Sequence, residues 1–243
     1  GYFDAAMNER EFSELEEAKK RLEDRGYPHA QRLVSSKDID SVVGSDRFIG
    51  GLVNDGWGHC HPLNLVRGEA KAAEKLGAKI YEDARVSTIY DEGDSKTVDM
   101  DWCRVSAQKI VLAGNAYLGN LIPKLERQVL PVGSYIIATE PLPEEMQARI
   151  LPGNHAVCDQ RWALDYFRMS EDGRLLFGGV ATYSGRHPSS IRDKMRPKML
   201  AVFPELEDAA IEYEWGGYLG VGLNRIPQIG RLDANTYYAQ AYA

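Results

Sequence analysis

Two periods of hydrophobic spacing run through this chain. Phe12, Leu15, Ala18 and Leu22 recur at helical spacing, the stripe of an amphipathic helix with one face on a core. Asn8 is placed to cap that helix, with Glu11 three residues on in the manner of a capping box. Glu16/Lys20 and Glu17/Arg21 stand one turn apart on its outer face, and Gly26 ends it. A second stripe, Leu63, Val66, Ala70 and Ala73, predicts a helix over 62–76, opened by Pro62 and closed by Gly77. A third helix is expected over 190–203, stopped by Pro204, and shorter ones over 36–43 and 116–122.

Strand signals fill most of the remainder. Runs at 2–7, 48–53, 79–82, 85–90, 98–102 and 104–108 read as strands, and the last two as an antiparallel pair. Ile110-Val111-Leu112-Ala113 is continuously apolar and is closed by Gly114-Asn115. Such a run predicts a strand covered on both faces. Further strands are expected at 132–140, 163–169, 174–180, 211–217 and 236–241, with Ser170-Glu171-Asp172-Gly173 as a hairpin turn. A helix between strands at 62–76, and a buried strand leading into another helix, suggest βαβ-type organisation. The strand-rich second part suggests a separate antiparallel sheet. The class is α+β, derived from α/β, with two interleaved regions.

Composition narrows the classes of function. The chain has 243 residues, 44% hydrophobic and 27% charged, with a net charge of −7. That is enough for one large domain or two small ones. No Lys/Arg stripe stands out, and the acidic balance argues against polyanionic partners, so no nucleic acid is expected. No apolar run approaches the roughly 20 residues of a membrane span, so no membrane is expected either. Three cysteines, Cys60, Cys103 and Cys158, are scattered and odd in number. They favour thiols over a disulfide framework and point to the cytoplasm. The chain opens in a strand-like run at Gly1-Tyr2-Phe3-Asp4 without an initiator Met, and closes on Thr236-Tyr237-Tyr238-Ala239. The expectation from these ends is excision from something longer.

Few motifs carry chemistry by themselves. The dinucleotide fingerprint is missing. Gly56-x-Gly58 has His61 where the third glycine belongs, and Gly220-x-Gly222 has Arg225. His59-Cys60-His61 invites a metal reading, but adjacent side chains of an extended segment point to opposite faces, and no metal is expected. Packing, capping and a place in a cavity wall stay open for His59 and His61. Arg161-Trp162 and Tyr166-Phe167-Arg168 set arginines among aromatics, a combination suited to a carboxylate-bearing ligand or to simple stacking. Trp215-Gly216-Gly217 and Arg225-Ile226-Pro227-Gln228-Ile229-Gly230 bracket a glycine-rich loop, where backbone can approach a flat ligand.

Taken in order, several segments resemble the D-amino-acid-oxidase-like FAD-dependent oxidoreductases, the group of glycine and sarcosine oxidases. They are Gly58-His59-Cys60-His61-Pro62-Leu63-Asn64-Leu65, residues 78–89 and 109–115, Leu130-Pro131-Val132 and residues 215–230. Residues 116–119, 135–142, 175–179 and 237–240 resemble the gamma-glutamylputrescine oxidoreductase subgroup in particular. In the family a glycine-rich βαβ unit precedes the part resembled here, and a Gly-His-Gly segment follows it. The resemblance therefore implies a central fragment of a full-length enzyme that uses FAD, with FAD expected to be absent from this chain itself.

The resemblance also implies roles. Residues 1–55 would open the substrate domain, 56–122 would be a remnant of the FAD-binding domain, 123–214 the substrate-binding sheet, and 215–243 a return to the FAD-binding domain. Val86 would meet the adenine end of FAD, and Ala113, Gly114 and Asn115 would pass near its pyrophosphate or ribityl region. Trp215, Gly216, Arg225, Pro227 and Gly230 would line the flavin ring. Ala241 stands where relatives often have Gly. Trp162, Tyr166 and Arg168 are candidates for the substrate wall, with His59 and His61 beside them. The implied chemistry is oxidation of a C–H beside nitrogen to an imine, in an amine or amino acid, with no strong acid–base residue required. Two other readings stand beside it: a flavin-free binding module for amine or carboxylate ligands, and a nicotinamide-dependent dehydrogenase, which would need the same missing fingerprint. A cut sheet would also leave the 110–113 strand with an open edge, inviting self-association.

Overall fold

The computed structural model describes residues 1–242. The strands are β1 (Tyr2–Ala6), β2 (Gln31–Val34), β3 (Gly50–Asn54), β4 (Val86–Asp91), β5 (Lys96–Met100), β6 (Arg104–Ala107), β7 (Ile110–Leu112), β8 (Val129–Thr139), β9 (Ala156–Asp159), β10 (Tyr166–Met169), β11 (Leu175–Thr182), β12 (Ile211–Gly222), β13 (Gln228–Arg231) and β14 (Thr236–Gln240). The helices are α1 (Glu9–Asp24), α2 (Pro62–Lys75), α3 (Pro123–Glu126), α4 (Glu144–Ile150) and α5 (Ile191–Val202). The chain divides into two compact units. Unit 1 comprises residues 1–62, 134–181 and 187–216, and unit 2 comprises 63–133, 182–186 and 217–243.

An eight-stranded mixed sheet, in the order β12-β8-β11-β10-β9-β1-β3-β2, organises unit 1. Its register explains its two faces. Phe3 of β1 sits opposite Val157 of β9, Val157 opposite Phe167 of β10, and Phe167 opposite Phe177 of β11. Paired residues share a face, so these four form one apolar row. Met195, Met199 and Phe203, from α5 and the residue after it, complete the main core on that side. The Phe167 ring stacks on Phe177 at 5.5 Å and meets Phe203 edge-on at 5.1 Å. Each such side chain contributes roughly 1.5–3 kcal/mol by burial. On the opposite face Ala6 and Leu52 pack under Leu15 and Phe12 of α1. That helix begins where expected: Asn8 Oδ1 accepts from the Glu11 amide at 3.0 Å, and Glu11 in turn accepts from the Met7 amide at 2.7 Å.

Unit 2 holds two three-stranded sheets. One is the antiparallel meander β4-β5-β6. The other runs β13-β14-β7, with β14 parallel to β7 and antiparallel to β13. Lys96 is buried, and it bonds Asp91 at 2.8 Å and Asp233 at 3.0 Å. This ties the β4–β5 turn to the loop that leads into β14.

Several expectations need correction. The 110–113 strand is not covered on both faces: β7 ends its sheet, and Val111 is 68% exposed. Helix α2 forms, yet none of its residues is buried, and Leu63 and Val66 lie on its surface. Nor does it bridge parallel strands, because β3 and β4 lie in different sheets. Residues 79–82 form no strand, since no neighbour pairs with them; Tyr81 instead contacts Trp102. The helices expected at 36–43 and 116–122 shrink to 3₁₀ turns at Ile39–Ser41, Asn115–Tyr117 and Gly119–Leu121. Strands β2, β9 and β13 and helix α4 were not expected at all. The first three are four residues long, too short for alternation to register.

Candidate functional site

The face of the large sheet opposite its main core carries polar residues. Tyr2 and Asp4 alternate with Phe3 and Ala5 on β1, so they point away from the phenylalanine row. The register continues Asp4 to Cys158 on β9, Cys158 to Tyr166 on β10, and Tyr166 to Gly178 on β11. A Cβ at Gly178 would overlap the Tyr166 ring. Glycine there lets the phenol extend over β11 to Ser134 on β8, with 3.1 Å between the two hydroxyls. Arg168, two residues along β10, shares this face.

The charges on this face are unbalanced locally. Arg168 is half-buried, and burial lowers its pKa from the usual guanidinium value. Among the described residues its one side-chain hydrogen bond runs from Nη1 to the Met169 carbonyl at 3.3 Å. Asp4 accepts from Gln160 Nε2 at 3.1 Å, and burial raises its carboxyl above the ordinary aspartate range. Neither residue belongs to a salt bridge among the described residues. The groups around them are held neutral. Burial raises the Tyr2 and Tyr166 phenols and pushes the Cys158 thiol up to about 11.

Of the substrate-wall candidates, Tyr166 and Arg168 thus share one surface. His59 is partly accessible and its Nε2 meets the Asn154 carbonyl at 3.0 Å, a packing contact. His61 is exposed. Trp162, at 76% exposure, lies in the loop between β9 and β10. That loop is pinned from the core side. Arg161 donates to Asp159 through Nε at 2.8 Å and through Nη2 at 2.5 Å, and Nη2 also reaches Asp165. Lys198 of α5 bonds Asp165 at 2.6 Å. Both carboxylates are buried. Among the described residues no three His, Cys, Asp or Glu side chains group as metal ligands.

The cofactor candidates fall mostly in unit 2. Ala113-Gly114-Asn115 forms the turn at the carboxyl end of β7, with Asn115 at φ 47°. Asn115 Oδ1 accepts from the Ala241 amide at 2.9 Å, and the Tyr242 hydroxyl donates to the Ala113 carbonyl at 2.7 Å. The turn is therefore tied to the end of β14. Ala241 adopts φ 60°, the left-handed region that favours glycine. Val86 opens β4 and lines a cavity of about 280 Å³ with Ile89, Val98, Val105 and Leu112. Arg225 sits at φ 55° in the turn before Pro227. Two other candidates lie against aromatic rings: a Cβ at Gly216 would meet the Tyr135 ring, and one at Gly230 the Tyr238 phenol. Trp215 is partly exposed on β12.

Tyr2, Asp4, Ser134, Cys158 and Gln160 escaped the sequence reading. The Tyr2/Phe3/Asp4/Ala5 alternation was the available signal for the first two.

The family described as FAD dependent oxidoreductase (DAO) matches residues 1–243. The chain belongs to this family. It is 38% identical over 239 residues to gamma-glutamylputrescine oxidoreductase of Escherichia coli K12, covering 98% of this chain and 56% of that protein. It is 37% identical over 252 residues to the probable oxidoreductase OrdL of Haemophilus influenzae, covering 100% of this chain and 56% of that protein. The chain spans about half the length of the curated relatives it matches. Among solved structures, glycine oxidase from Geobacillus kaustophilus superposes with a TM-score of 0.84 at 18% identity, over 99% of this chain and 64% of that one. L-proline dehydrogenase from P. horikoshii gives 0.79 at 19%, over 99% and 66%. These likenesses establish the fold: a mixed α/β chain with a large mixed sheet.

Membership implies FAD for the full-length protein, and the residues present fit part of that group. The Ala113-Gly114-Asn115 turn stands outside the carboxyl end of the parallel pair β7/β14, where open α/β sheets take ligands. A Cβ at Gly220 would strike Asn115, so that glycine keeps the turn in shape. No Gly-x-Gly-x-x-Gly segment occurs in these 243 residues to receive a pyrophosphate.

Proposed function

We propose that the full-length protein is a cytoplasmic FAD-dependent oxidoreductase that oxidises the C–H bond beside nitrogen in an amine or amino acid to an imine. The reading gives the chain two parts. Unit 1 presents the substrate face, and unit 2 contributes part of the FAD-binding region through Ala113, Gly114, Asn115, Arg225 and Pro227, with Trp215 and Gly216 following on β12. Bound FAD supplies the two-electron acceptor. Tyr166 and Arg168 orient the substrate, the guanidinium by pairing with a carboxylate, while Trp162 and the His59–His61 segment wall off water.

The observation that carries this reading is the half-buried Arg168 guanidinium, with no carboxylate bonded to it among the described residues, on a sheet face lined by neutral phenols. The identity to gamma-glutamylputrescine oxidoreductase suggests that compound as the first substrate to try. Full-length protein is purified, its visible spectrum recorded, and hydrogen peroxide or reduced-dye formation followed with gamma-glutamylputrescine, glycine and L-proline. A yellow protein that turns over at least one of them is expected. A colourless protein that binds no added FAD would sink the reading. The 243-residue chain, lacking a phosphate-cradling loop, is expected to hold no FAD after gel filtration; stoichiometric co-elution would refute that part.

A further inference from the structure

Residues 160–165, which join β9 to β10, are anchored on both faces of the large sheet. On the polar face Gln160 donates to Asp4 at 3.1 Å. The other anchor lies on the core face, where Asp159 stands opposite Ala5. Asp159 and Asp165 close the two ends of the loop, the Asp159 amide donating to the Asp165 carbonyl at 3.0 Å. Arg161 donates to both carboxylates, and Lys198 reaches Asp165 Oδ1 from α5 at 2.6 Å. Strand β11 leaves room for that oxygen, because a Cβ at Gly179 would overlap it. Two cations thus balance two buried carboxylates. Breaking such a cluster costs stability, yet replacing it whole by uncharged groups is often close to neutral, so net stability does not account for its presence. What it fixes is geometry. A guanidinium fork meets carboxylates in a narrow set of arrangements, whereas an untethered surface loop moves. Trp162 is the exposed residue next to Arg161 in this loop.

We propose that Lys198, acting through Asp165 and Arg161, is a positioning residue for the substrate wall: it holds the 160–165 loop so that Trp162 stays in place over the bound amine. The inference rests on the functional reading above, in which Trp162 helps to close the site to water. It extends that reading to a helix on the core side of the sheet, which carries no residue of the candidate site.

The test uses full-length, FAD-loaded enzyme labelled with 5-fluorotryptophan, the Trp162 fluorine line being assigned by its loss in Trp162→Phe. The substrate is whichever of gamma-glutamylputrescine, glycine and L-proline is turned over fastest. Wild type is expected to show one sharp Trp162 line. Lys198→Met broadens or splits it and raises KM about tenfold, with kcat within about twofold, because substrate and transition state lose the wall alike. Lys198→Arg restores the line and KM. The quadruple variant Arg161→Leu, Asp159→Asn, Asp165→Asn, Lys198→Met separates positioning from stability: it unfolds close to wild type but keeps the broadened line and the raised KM. A sharp, unmoved line or an unchanged KM in Lys198→Met, or a quadruple variant that regains KM along with its stability, overturns the assignment of Lys198 and leaves the functional reading standing. An unchanged KM in Trp162→Ala removes Trp162 from the wall, and the proposal falls with it. A protein that binds FAD and oxidises no amine overturns the functional reading itself, and the Trp162 line then decides alone whether Lys198 positions the loop.

Discussion

Arg161 sits between two buried carboxylates, and removing it exposes how much that arrangement holds. The Asp159 and Asp165 side chains are 2% and 5% exposed, while the guanidinium between them is 32% exposed. Asp159 has Arg161 as its cation, whereas Asp165 also has Lys198 at 2.6 Å. The two cations are therefore unequal. Arg161→Ala leaves Asp159 buried and uncompensated, a loss of about 3–5 kcal/mol. Lys198→Ala leaves Asp165 paired through Arg161, and costs about 1 kcal/mol, the scale of one partly exposed ion pair. The quadruple variant Arg161→Leu, Asp159→Asn, Asp165→Asn, Lys198→Met removes all four charges together and should recover most of the loss, since an ionic cluster replaced whole is often close to neutral. Urea denaturation at pH 7, followed by tryptophan fluorescence, measures each change from the midpoint and slope. A cost below about 1 kcal/mol for Arg161→Ala, or a loss equal to that of Lys198→Ala, would refute the idea that Asp159 depends on this one cation.

Three other outcomes are expected. Ala241, buried at φ 60°, is strained in a region suited to glycine, so Ala241→Gly should stabilise by about 1 kcal/mol and raise Tm by roughly 2–4 °C; a fall in Tm would count against it. Burial raises the folded-state pKa of Asp4, so the charged carboxylate costs stability above that pKa and nothing below the unfolded value. Asp4→Asn should then be the more stable protein at pH 7, with a Tm advantage that fades as the pH falls towards 4; an advantage that grows in acid would contradict the sign. Finally, β7 ends its sheet with Val111 exposed, and an open apolar strand edge invites pairing. The 243-residue chain should show concentration-dependent association in light scattering that Val111→Lys abolishes; a wild-type chain monomeric at all concentrations would rule this out.

How much of this was legible beforehand depends on where the information lies. Helix α1 and its cap were readable because Asn8, Glu11 and the Phe12/Leu15 stripe act within a few residues of one another. The β10–β11 hairpin was readable for the same reason. Strand β7 was misread because a continuous apolar run states only that some neighbour should cover it. It does not say whether that neighbour lies within these residues, and Val111 turned out exposed. The stripe on α2 failed in the same way.

The candidate site divides along this line too. Tyr166 and Arg168 could be singled out because aromatic and basic residues crowd one short segment. Asp4 could not be found that way, since its significance comes from the register that carries it across β9 to Tyr166, over more than 150 positions of sequence. On β1 alone, Tyr2 and Asp4 are the solvent half of an ordinary alternating strand. Only with α1 confined to the Ala6–Leu52 end of that face, and the remaining polar groups kept neutral by burial, does a lone carboxylate become informative. Asp4→Asn tests that directly: a variant more stable than wild type at pH 7 shows that burying this carboxylate costs the fold stability.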